Sequence, residues 1–137
     1  MKRIFALTAG LLLATSAAIA APDLMTRVPS DSLTVTDWYK QDVYDAHNNK
    51  IGEIMDVLVA PDGKIQSLIV GVGGFLGAGE KDVAVSFDSV KKTEKNDSIY
   101  LTMNTTKDAL KSAPGFKYDK SKNTWIPDTS SKDGSSQ

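Results

Sequence analysis

The chain has no cysteine, a single histidine and no excess of positive charge among its 137 residues. Each absence removes a class of chemistry. Without cysteine there is no disulfide framework, no thiolate zinc site, no cysteine nucleophile and no lipid-modified N-terminal cysteine. His47 stands in a polar turn beside Asn48 and Asn49. One imidazole neither completes a zinc or copper site nor finds a partner base, so His47 reads as a solvated turn residue. With 16 basic and 17 acidic residues the net charge is −1, which gives no electrostatic footprint for nucleic acid or anionic lipid. No cofactor, metal or catalytic residue is expected.

A long apolar run is missing too. The best candidate, Ile4 to Ala14, is broken by Thr8 and Gly10. It falls short of the roughly 20 residues that span a bilayer. Lys2 and Arg3 before it, and Ala18-Ile19-Ala20 after it, make a cleavable export signal over residues 1–20, with cleavage between Ala20 and Ala21. That reading predicts a periplasmic protein with no stable membrane anchor. There is no twin-arginine pair, so export in the unfolded state is expected. The mature chain would begin Ala21-Pro22-Asp23, fill one domain with one core, and depend on that core alone for stability.

Residues 21–31, punctuated by Pro and Ser, read as a flexible arm; residues 32–127 read as the domain, and 128–137 as a disordered tail. Val35 to Lys40 is either a short strand or a helical turn. Five strands are predicted: Val43–Ala46, Ile51–Ala60, Ile65–Val72, Lys81–Phe87 and Asp97–Met103. Asn48 and Asn49 suit a left-handed turn, and Pro61-Asp62-Gly63-Lys64 closes a hairpin. Strict alternation along the second strand puts Ile51, Met55, Val57 and Val59 on one face, with Ile54 and Leu58 on the other. Strands apolar on both faces need two covering layers, or a closed barrel with something packed outside it. A two-turn helix opening at Thr105, with Asp108 completing a capping-box-like pair, and the later Phe116, Tyr118, Trp125 and Ile126 are the natural cover.

The order Asp42-Val43-Tyr44, Ile51-Gly52-Glu53-Ile54-Met55-Asp56, Gly63-Lys64-Ile65 resembles the PRC-barrel domain. Val72-Gly73-Gly74-Phe75-Leu76-Gly77, followed by Lys81-Asp82-Val83-Ala84-Val85, extends the likeness to about Ser32–Met103. That family is named after the cytoplasmic portion of the photosynthetic reaction centre H subunit and is similar to a domain of a ribosome-maturation factor. The resemblance implies a small antiparallel β-barrel of about five to six strands with a short C-terminal helix. It also implies use in protein–protein contact, with no shared catalytic residue. Ser86 departs from the pattern, since many members carry proline there.

Five glycines between Gly71 and Gly79 invite a nucleotide-binding reading. Their spacing fails the dinucleotide fingerprint, and a strand rather than a helix follows. Gly73, Gly74, Phe75, Leu76 and Gly77 are instead the candidate partner-contact residues. Phe75 and Leu76 either face a partner or fold inward over the barrel mouth. The carboxylates Glu53, Asp56, Asp62, Glu80 and Asp82 lack the acidic repeats of a calcium loop. Opposite parity on one strand keeps Glu53 and Asp56 from acting as an acid pair. Asp56, set in an apolar strand, is expected to accept backbone hydrogen bonds. No serine lies in a nucleophile elbow. The first functional expectation is therefore a non-catalytic scaffold binding an unidentified envelope protein, not nucleic acid; a homodimer through strand edges is compatible with it. The alternative is a binding module for a small ligand or envelope component, held at the barrel mouth by Trp38, Tyr44 and Trp125.

Overall fold

The computed structural model describes residues 10, 17–73 and 79–130. The chain divides into Met1–Ser32 and Leu33–Gln137. In the first unit, residues 17–32 are exposed and form neither helix nor strand, apart from a turn closed by the Ser32 amide on the Pro29 carbonyl at 3.3 Å.

The second unit is mainly β. It contains β1 (Asp42–Tyr44), β2 (Lys50–Val59), β3 (Ile65–Val72), β4 (Lys81–Ser86), β5 (Val90–Lys95) and β6 (Ser98–Met103). The helix α1 (Lys107–Ser112) and a hairpin of β7 (Gly115–Asp119) and β8 (Thr124–Pro127) follow. All eight strands form one sheet in the order β5-β6-β1-β2-β3-β4-β7-β8. Every pairing is antiparallel except β1 with β6, which run parallel through Val43↔Leu101 and Tyr44↔Thr102. The sheet is not closed: β5 and β8 are its edges.

The first six strands nevertheless curl into a barrel, and chain length alone demands it. If β5-β6-β1-β2-β3-β4 lay flat, β4 and β5 would stand about 24 Å apart, at roughly 4.8 Å per strand. They are joined only by the 3-10 turn Phe87–Ser89. The span from Ser86 to Val90 covers at most about 14 Å. The sheet has to bend round. Ser86 takes φ −65°, the value proline would impose, so its departure from the family pattern leaves the turn intact.

Inside lie Val43, Ile54, Leu68, Val70, Val83 and Leu101, with Trp38 and Leu110 at the margins. Ile54 pairs with Val70 and Val57 with Leu68. Met55 sits between them unpaired, in a bulge. The bulge overturns the simple alternation predicted for β2. Ile54 and Val57 share the core face, and Glu53 and Asp56, expected on opposite faces, share the outer one opposite Gly71 and Ile69. Gly52 is also dictated by packing: a Cβ there would lie 2.6 Å from Val70 Cγ1 and 2.9 Å from the Gly71 carbonyl oxygen.

Ile69 is fully buried yet lies outside the main core cluster. Its side of the sheet is covered by the β7–β8 hairpin, whose Trp125 Nε1 donates to Asp56 Oδ2 at 2.8 Å. The outer layer expected from Phe116, Tyr118, Trp125 and Ile126 is thus a strand pair that continues the sheet from β4. Asp56 also accepts the Val57 amide at 2.8 Å, so the expected backbone bond is present and an indole joins it.

Two local expectations shift by a residue or resolve. Thr106 rather than Thr105 caps α1, accepting the Ala109 amide at 3.1 Å. Val35–Asp37 is a 3-10 turn capped by Thr34. It is pinned to β5 by Lys92 Nζ, 2.7 Å from Asp37 Oδ2. That bond to Lys92 is the main cause holding the Asp37 carboxyl below its ordinary range. The predicted tail residues 131–137 lie outside the described residues; before them, Asp128 still donates its amide to Gly115 at 2.8 Å.

Candidate contact site at the root of the glycine loop

β3 and β4 pair without interruption from Ser67↔Ser86 to Val72↔Lys81. The connection between them, residues 73–80, therefore springs from a rigid two-strand stem. Gly73 ends the described part of β3's exit, and Gly79 re-enters with φ +78°, a backbone conformation that glycine adopts without strain. Gly74, Phe75, Leu76 and Gly77 lie outside the described residues.

Beside the stem opens a cleft of about 400 Å³ lined by Lys50, Ile51, Gly52, Glu53, Gly71, Gly73, Glu80 and Lys107. Its floor is glycine backbone and its rim carries two cations and two carboxylates. Lys50 is held by Asp42 at 2.8 Å, and that bond raises its pKa against the opposing effect of burial. Both partners are about half exposed, so the pair adds little stability. The rim thus presents charges of both signs around a glycine-lined cleft.

Asp82 is an electrostatic irregularity near the stem. It stands in register with Gly71 and Phe116, close to Glu80, Lys81, Lys117 and Asp128. Its Oδ1 is buried with no hydrogen-bond partner among the described residues. Burial first, and the Glu80 charge second, push its pKa up. A carboxyl whose folded pKa lies above its unfolded one favours the fold while protonated and disfavours it as pH rises through the folded value. Asp82→Asn is accordingly expected to raise the thermal midpoint at pH 7. The gain should shrink as the pH is lowered through the Asp82 titration. A gain independent of pH in melting scans would assign the effect to something other than this charge.

The three aromatics proposed to share the barrel mouth are dispersed. Trp38 is 3% exposed and packs on Phe87, with centroids 4.7 Å apart. Tyr44 meets Tyr100 edge-on at 6.0 Å. Trp125 meets Tyr118 at 5.7 Å and is tied to Asp56. They do not form one site. His47 is exposed in the β1–β2 turn, where its amide donates to Asp45 Oδ1 at 2.8 Å. Ala20 and Ala21 are exposed and belong to neither helix nor strand. Among the described residues, no three His, Asp or Glu side chains are arranged to hold a metal.

Comparison with known families matches the PRC-barrel domain to residues 30–110. The match ends inside α1, so the β7–β8 hairpin lies beyond it. No curated protein matches the chain.

Proposed function

Because the chain belongs to the PRC-barrel domain family, we propose that it is a non-catalytic contact module whose docking element is the connection 73–80. One observation carries this reading. Antiparallel strands in unbroken register are joined by roughly two to five residues as a rule, and here a longer glycine-rich segment leaves a rigid stem. Loops longer than their closure needs, on a rigid scaffold, are where proteins place recognition. Phe75 and Leu76 are the apolar pair of that segment, and the charged rim below it supplies specificity. The partner is an envelope protein, reached after export to the periplasm and cleavage between Ala20 and Ala21. Among the described residues no helix is long and apolar enough to cross a membrane.

The test is crosslinking in intact envelopes with Phe75→Ala and Leu76→Ala variants. The expected result is loss of a defined adduct with no change in the thermal midpoint of the purified variants. An adduct that survives both substitutions would sink the reading. So would a midpoint that falls with them, since the pair would then be packing inward. Sequencing of the envelope form is expected to begin at Ala21.

A further inference from the structure

A groove of about 430 Å³ runs along the outer face of β5 and β6, with Tyr44 of β1 as part of its floor. We infer that this groove is a saccharide-binding site. Its floor is the Tyr44–Tyr100 edge-on pair, and Tyr100 is 37% exposed. Thr93, opposite Tyr100 in register, and Thr102 place hydroxyls beside the rings. Asn48 and Asn96 come from two different turns, and Lys95 supplies a single positive charge. Both asparagines have left-handed backbone, φ 63° and 52°. Turn geometry accounts for asparagine at each position. It does not account for both amides lining one tyrosine-floored groove.

The lining chemistry selects the ligand class. A pyranose ring presents an apolar C–H face and a rim of hydroxyls that both donate and accept. Tyrosine offers a flat apolar face with a polar tip, and carboxamides and hydroxyls both donate and accept in turn. Among the described residues no carboxylate lines the groove, so a neutral or singly anionic sugar enters without repulsion. Its volume lies in the range of small-ligand sites, about 300–1,000 Å³. A nucleic acid strand needs a basic track, and Lys95 is the only ionised side chain among the described residues that line the groove. A peptide strand would add to the free edge of β5 instead of lying across its face.

The inference is independent of the protein-contact reading, because the groove shares no residue with the 73–80 stem or its cleft. The experiment is titration of the ¹⁵N-labelled protein with chitotriose, maltotriose and the singly anionic 3′-sialyllactose, and with an oligodeoxythymidine as control. Expected are saturable amide shifts confined to residues 93–102, Tyr44 and Asn48 with at least one sugar. They should weaken about tenfold in Tyr100→Ala and persist in Phe75→Ala. Asn96→Gly keeps the turn while removing the amide, and serves if Tyr100→Ala fails to fold. Absence of saturable shifts with all three sugars overturns the assignment. So do shifts indifferent to both substitutions, or a stronger response to the oligodeoxythymidine.

Discussion

Trp38→Ala is expected to lower stability by about 3–5 kcal/mol, the usual cost of emptying a large buried aromatic site. Trp38 is 3% exposed and seals the margin of the core against Phe87. The surrounding chain cannot collapse into the vacated space, because it is tied on both sides. The Lys40 amide donates to the Ile54 carbonyl at 2.8 Å, the Ile54 amide donates to the Gln41 carbonyl at 2.9 Å, and Lys92 holds Asp37. A rigid wall turns a deletion into a cavity. The thermal midpoint should fall by on the order of 20 °C for a domain of about this size. Trp38 Nε1 is buried with no partner among the described residues, and Trp38→Phe removes this donor along with part of the ring. Phenylalanine should therefore recover much of the loss. A Trp38→Ala protein that melts within a few degrees of the parent would show that this segment does not belong to the cooperative core.

Ile54→Ala should cost about 2–5 kcal/mol, while Val59→Ala on the same strand stays within about 0.5 kcal/mol. Ile54 is fully buried against Val70, whereas Val59 is 60% exposed near the strand end. A third variant, Val57→Ala, tests the bulge at Met55. With strict alternation, Ile54 and Leu58 would share a face and Val57 would lie on the other. With the bulge, Ile54 and Val57 are neighbours in the core. Denaturant midpoints of the three alanine variants decide it. Equal losses at positions 54 and 59 would contradict the observed register.

Those residues also show what could be read beforehand. The hairpin at Pro61–Lys64 was legible, because Gly63 adopts φ 85° and the Asp62 carboxylate accepts the Lys64 amide at 3.0 Å, as a proline-glycine turn requires. β2, β3 and β4 were legible as strands because they are apolar and β-branched. The bulge was not, since an unpaired Met55 leaves no trace in hydropathy. β5 gives no strand signal in the sequence, for a definite reason. Its core-facing side is Val90, Lys92 and Glu94, so only one position carries an apolar signal. Lys92 sits opposite Leu101 and still reaches Asp37 with its ammonium. Without β5, the groove it shares with β6 could not be anticipated. The β7–β8 strands read as a cap in the sequence because nothing local marks their pairing with β4, which rests on only two residue pairs, Asp82↔Phe116 and Val83↔Gly115. The glycine segment and its stem, by contrast, were plain in the sequence, since glycine density and strand alternation are both local signals.

The three-residue β1 sits between β2 and β6 and joins the β2–β4 meander to the β5–β6 hairpin. Meander and hairpin can each form early, from neighbours in the chain. Their union waits for Val43 and Tyr44 to find Leu101 and Thr102, a search whose loop-closure entropy is repaid by only two parallel register pairs. Barrel assembly is therefore expected to be the slow step of folding, on the order of milliseconds to seconds for such non-local topologies. A chain caught before that step would present the β6 flank that β1 covers in the native fold.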